Sequence, residues 1–123
     1  MTYFELTKEV SFRALRIPPQ PIETKGITPV PLSGCRFKLR VTLRGQMDPV
    51  SGLVFDRDRL ERILRLSVVE PLDGSLLNEC FPNPTTEGLA HSIFLRLQPL
   101  FPERMLTRVS IHESDLCFAQ FPV

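Results

Sequence analysis

Histidine and cysteine are scarce in this chain. Its 123 residues hold two histidines, His91 and His112, and three cysteines, Cys35, Cys80 and Cys117. An odd number of cysteines with no Cys-x-x-Cys spacing excludes a disulfide framework. For Cys80 and Cys117 the sequence predicts small buried apolar residues or inert loop thiols. Neither sign of charge dominates: 15 Lys and Arg face 14 Asp and Glu, a formal net charge of +1. No basic block stands out, which argues against a nucleic-acid partner. No apolar run is long enough to cross a bilayer, so no membrane partner is expected. The N-terminal stretch Met1-Thr2-Tyr3-Phe4-Glu5-Leu6-Thr7-Lys8-Glu9 alternates and carries acids. It is unlike a signal or transit peptide, and the expectation is a cytoplasmic protein. Internal repeats and low-complexity segments are absent as well.

What is present suits one globular domain over residues 1–123. Hydrophobic residues make up 42% and charged residues 24%, enough apolar surface for a single core at this length. From Tyr3 to Arg16 the pattern has period two. Phe4, Leu6, Val10, Phe12 and Ala14 point one way, with Lys8 the exception, which predicts a strand with one apolar face. Ile17 to Leu32 is rich in proline and predicts a loop. Cys35 to Gly45 alternates again, with Cys35, Phe37, Leu39, Val41 and Leu43 on one face and Arg36, Lys38, Arg40 and Arg44 on the other. Paired antiparallel, the two strands would set Glu5 and Glu9 near that basic row.

Asp56 to about Val69 predicts a helix, with Leu60, Ile63, Leu64 and Val68 on its apolar stripe and Pro71 as its end. Leu72 to Asn83 reads as irregular. Pro84-Thr85-Thr86-Glu87 opens a second helix, capped by Asn83 or Thr85. Met105–His112 and Asp115–Phe121 predict two further strands, with Glu113-Ser114-Asp115 as the hairpin turn. The order β-β-α-α-β-β predicts an α+β fold, a four-stranded antiparallel sheet with two helices on one face.

Several short segments, in order along the chain, carry a resemblance. Leu6-Thr7-Lys8-Glu9-Val10-Ser11-Phe12 opens it, and Gly52-Leu53-Val54-Phe55-Asp56 follows before the first helix. Leu72-Asp73 with Leu77-Asn78, Phe81-Pro82-Asn83-Pro84-Thr85-Thr86-Glu87 and Ile111-His112-Glu113-Ser114 complete it. Together they resemble the 6-pyruvoyl-tetrahydropterin synthase and 6-carboxy-tetrahydropterin synthase family. The resemblance implies the T-fold, in which sheets of several subunits join into a barrel around a tunnel. It also implies a homotrimer or homohexamer and a small-molecule ligand.

The family's zinc is held by three histidines, and the matching positions here are Arg16, Ser33 and Cys35. Guanidinium cannot ligate a metal, and one thiolate is not a three-ligand site. The expectation is therefore no metal and no cofactor. The family's cysteine position falls on Pro29, and its Asp-His pair becomes Asp73-Gly74. Arg16, Cys35 and Asp73 remain as candidate catalytic residues, with Arg16 as a fixed cation where the metal charge sat and Cys35 as a thiol of depressed pKa. Glu113 resembles the glutamate that grips the amino-pyrimidine edge of a pterin, and Thr85 and Thr86 resemble the residues beside it. Each has a plainer reading. Glu113 is also an ordinary turn acid, Asp73-Gly74 an ordinary turn pair, and Arg16 a partner for a structural carboxylate. Two functions stay open. One is a metal-independent lyase, cyclase or isomerase acting on a small polar, pterin-like or amidine-bearing metabolite. The other is a non-catalytic ligand-binding or assembly paralogue.

Overall fold

The computed structural model describes residues 2–17 and 33–123, with Ser33 described through its backbone alone. Pro29 and the rest of the proline-rich stretch after Ile17 lie outside the described residues. Two long strands, β1 (Phe4–Arg16) and β2 (Ser33–Gly45), lead the fold, followed by the helical segments α1 (Arg57–Leu64), α2 (Glu70–Leu72), α3 (Leu77–Cys80) and α4 (Thr86–Leu97). Strands β3 (Leu106–Ser114) and β4 (Cys117–Phe121) close it. The sheet order is β1-β2-β3-β4, every pair antiparallel. This is the α+β arrangement the sequence pattern predicts. Among the described residues no helix is long and apolar enough to cross a membrane.

One face of the sheet makes the core. Phe12, Ala14, Phe37, Leu39, Val41, Leu43, Val109 and Ile111 are buried against Leu60, Leu64, Val68 and Leu72 from the first helical run and Leu89, Ile93 and Leu97 from α4. Phe12 and Phe37 sit opposite each other in the register, their rings stacked at 5.5 Å. Each such fully buried side chain contributes about 1.5–3 kcal/mol. The other face is polar. Glu9 pairs with Arg40 at 2.9 Å, Glu5 with Arg108 at 3.1 Å and Asp115 with Lys38 at 3.7 Å. The basic row of β2 is thus interleaved with acids.

The first helix does not stop before Pro71. It runs from α1 through a π turn at Arg65–Val69 into α2, which contains Pro71. The buried stripe Leu60, Leu64, Val68, Leu72 explains the wide turn. A strict spacing of four needs twelve residues for three turns, where an α-helix takes about eleven, and the π turn supplies the extra residue. Pro71 has no N–H for the carbonyl of Ser67. The Arg96 guanidinium donates to that carbonyl instead, at 3.3 Å.

The segment after α2 serves the edge of β1. Arg13 N–H donates to Asp73 Oδ1 at 2.8 Å, Leu15 N–H to the Ser75 carbonyl at 2.8 Å and Ile17 N–H to Asn78 Oδ1 at 2.8 Å. Gly74, at φ 75°, donates to the Arg13 carbonyl, a left-handed conformation that glycine adopts without penalty. The predicted irregular stretch therefore holds the short helix α3 and seals one end of the sheet. The last hairpin differs too. β3 continues through Ser114, and the turn is Asp115-Leu116, so Glu113 is a strand residue and not a turn residue.

Candidate functional site

Three elements bring the site together at the end of the sheet where β1 finishes. Alternation places Arg16 on the same face as Phe12 and Ala14, in register with Ser33. Glu113 lies on the core side of β3, two residues after buried Ile111. The turn before α4 supplies the third part. Asn83 Oδ1 accepts from Thr85 N–H and the Thr85 hydroxyl, and Thr85 Oγ1 caps the helix by accepting from Gly88 N–H at 3.1 Å. A Cβ on Gly88 would run into the Asn83 carbonyl, so the turn closes only around glycine. This sets Thr86, buried, and the Pro84 carbonyl toward the sheet.

Arg16 is the hub. Its Nη2 donates to Glu113 Oε2 at 2.7 Å, and its Nη1 reaches the Pro84 carbonyl at 3.3 Å and Thr86 Oγ1 at 3.4 Å. Its guanidinium lies 5.3 Å from the Phe37 ring centroid, a cation–π distance. The other Glu113 oxygen, Oε1, accepts from the Cys117 thiol at 2.9 Å. Hydrogen bonds from Cys117 and then Arg16 hold the Glu113 carboxyl below its ordinary pKa of 4.5, against the opposing effect of burial. The same bond, and then the carboxylate charge, push the Cys117 thiol up. Cys117 is an exposed residue of β4, which overturns the buried and the loop reading for it, and it is the site residue the sequence reading missed. The sequence carried no firm signal for it, since its place beside Glu113 follows from where β3 ends and β4 begins.

Cys35 sits beside this cluster, with long sulfur contacts to the carbonyls of Arg36 at 3.9 Å and Glu113 at 4.0 Å. Burial pushes its pKa up, the Arg16 charge lowers it and the Glu113 charge adds to the rise. The expected depressed thiol is thus corrected: desolvation outweighs the cation. Cys35 also lines a cavity of about 550 Å³ with Arg13, Ala14, Leu15, Gly34, Arg36 and Gly74, and so links the ion pair to an open space. Asp73 is not brought into the cluster. Its carboxylate accepts from Arg13 N–H at the sheet edge, and no hydrogen bond or ion pair joins it to Arg16, Cys35 or Glu113 among the described residues. Thr85 acts as the helix cap and Thr86 as an Arg16 partner.

The zinc implied by the resemblance can be tested against these residues. The Ser33 side chain and Pro29 lie outside the described residues. Arg16 presents only donors and is held by Glu113, and Cys35 is kept as a thiol. Among the described residues no group of three or more His, Cys, Asp or Glu is arranged to hold a metal ion. The described residues do not fit that ion.

A two-layer α+β sheet with this strand order, and a polar cluster at the end of its core face, defines the T-fold class. The chain belongs to the 6-pyruvoyl tetrahydropterin synthase family, whose sequence model matches residues 5–122. The human 6-pyruvoyl tetrahydrobiopterin synthase is 31% identical over 87 residues, 67% of this chain, and the chain spans 60% of that protein's length. A dihydroneopterin monophosphate aldolase from Pyrococcus furiosus is 34% identical over 85 residues, 68% of this chain and 72% of that protein. The structure of Caenorhabditis elegans 6-pyruvoyl tetrahydropterin synthase superposes with a TM-score of 0.83 at 24% identity, covering 98% of this chain and 96% of that one.

Proposed function

We propose that this chain is a pterin-related T-fold protein of lyase type that works without the zinc of its relatives. The observation that carries the reading is the convergence of Arg16, Glu113, Thr86, Cys35 and Cys117 on one cluster. In this reading Glu113 is the anchor for a ligand N–H edge. It is ionised at neutral pH, and a carboxylate has about four acceptor sites, of which its own chain engages only some. Arg16 supplies a permanent positive charge beside that edge, where it polarises a carbonyl or holds an acid group of the ligand. Cys35, a neutral thiol on the cavity wall, suits the delivery of a proton better than nucleophilic attack. Asp73 holds the wall of β1 in place. The substrate class is a small polar ring related to those named for the relatives, with dihydroneopterin monophosphate the first to try. The family resemblance supports assembly as a homotrimer or homohexamer.

A second reading, a non-catalytic ligand-binding or assembly paralogue, is favoured by one observation. Both Glu113 oxygens are already engaged by the chain's own side chains. Native mass spectrometry of the protein with dihydroneopterin monophosphate, in the presence of a chelator, separates the two. Product mass appearing on a metal-free oligomer supports the enzyme. Intact substrate bound and unchanged supports the paralogue. Turnover that depends on one zinc per subunit overturns the metal-independent reading.

A further inference from the structure

Arg16 stands in a set of acceptors that any guanidinium would fit. The set comprises Glu113 Oε2 at 2.7 Å, the Pro84 carbonyl at 3.3 Å and Thr86 Oγ1 at 3.4 Å. They come from β3, from the turn before α4 and from the first residue of α4, and none from β1, which carries Arg16. Phe37 lies against the guanidinium. A carboxylate, a hydroxyl and a carbonyl beside an aromatic ring receive a flat N–H-bearing group of either kind, an arginine head or the amidine edge of a ring.

We propose that these acceptors form a guanidine cradle and that Arg16 is its resident occupant, competing from within the chain for the ligand edge that Glu113 recognises; the ligand side of this rests on the reading of Glu113 given above. A ligand edge enters the cradle by displacing Arg16. The displaced guanidinium keeps its charge. Its side chain is only 15% exposed, so it needs a new acceptor, because a poorly solvated unpaired cation is costly. The ligand that gains on exchange therefore has two features. It carries an amidine edge for Glu113 and, beside it, an oxo or acid group for Arg16. A ring with the edge alone strands the cation and is rejected. Arg16 is thereby the specificity-determining residue of the site.

The test uses the full chain, the variant Arg16→Ala and three probes. Arg16→Ala melts below wild type, and millimolar guanidinium raises its Tm by several degrees where equal sodium chloride or urea does not. Wild type, with its cradle filled, shows no such rise. If Arg16→Ala does not fold, Arg16→Met keeps the stem against Phe37 and frees the same acceptors. In equilibrium titrations benzamidinium, an N–H edge with no oxo or acid group beside it, binds the variant at least about ten-fold tighter than wild type, the gain expected when a competing state is removed. Identical guanidinium and sodium responses in the Arg16 variant, or equal benzamidinium affinity in variant and wild type, overturn the cradle. Pterin, a ring with edge and oxo group, tests the ligand reading separately. Guanidinium rescue without pterin binding to either protein keeps the cradle and removes the pterin-related assignment.

Discussion

Two cations interrupt the apolar face of β1, and they meet different fates. Lys8, near one end, reaches Glu61 on α1 at 3.0 Å, with the two side chains 42% and 46% exposed. Arg16, at the other end, reaches Glu113 at 2.7 Å, with exposures of 15% and 27%. The Lys8 contact is a half-exposed ion pair to a single carboxylate oxygen. The Arg16 contact is a hydrogen-bonded ion pair with two further acceptors and a ring beside it. The same strand position in the alternation gives a surface clamp at one end and a site at the other. Burial and partner number separate them, not residue type.

The comparison breaks first if Glu113 proves dispensable. Glu113→Ala leaves the Arg16 guanidinium without its carboxylate and should cost about 2 kcal/mol of stability by urea denaturation, below the full cost of a wholly buried pair. A loss within the range of surface changes would place both ends of β1 in one class. Acid sharpens the same point. The folded pKa of Glu113 lies below its ordinary 4.5, so its stabilisation is complete above that value and lost as pH falls through the depressed folded value. Melts of wild type and Glu113→Ala should stay apart down to about pH 4.5 and converge only below it. Convergence near neutrality would show that the pair contributes nothing as an ion pair.

A smaller effect concerns Cys117. The Glu113 carboxylate raises its pKa, so Glu113→Gln should speed its alkylation by iodoacetamide several-fold near about pH 8, because the thiolate is the reactive form. Peptide mass spectrometry reads this with exposed Cys80 as the internal reference. An unchanged rate would detach Cys117 from the site. The smallest effect belongs to the clamp: Lys8→Ala should change stability by no more than about 0.5 kcal/mol. A larger loss would promote the Lys8 end to the rank of the Arg16 end.

Much of this was legible from alternation. The period of β1 and β2 put Arg16 and Cys35 on the core face. Asn83-Pro84-Thr85-Thr86-Glu87 announced the cap and start of α4, and Ile111-His112-Glu113 reached the right strand. Four features were not legible. Proline was read as a stop at Pro71, yet a carbonyl it orphans was met by Arg96 from a helix far away in sequence. Glu113 was assigned to a turn, because composition cannot say where a hairpin bends when Glu, Ser and Asp are consecutive. Cys35 was expected to be acidic because of its neighbour, whereas burial, which depends on packing across elements, decides its pKa. Cys117 entered the site for a related reason: only the strand register puts it beside Glu113.

The strap that runs from Asp73 to Asn78 divides β1 into two kinds of strand. The amides of Arg13, Leu15 and Ile17 all have acceptors on the strap. By the same alternation the amides of Glu5, Thr7, Glu9 and Ser11 face away from β2, along the rim that the strap does not reach. In deuterated water the first group should exchange slowly, as in a central strand, and the second quickly, as at a margin. Any strand from another chain that extends this sheet beyond β1 must therefore dock along the Glu5–Ser11 stretch and stop where the strap begins, so the molecule carries its own limit on how far such pairing can run.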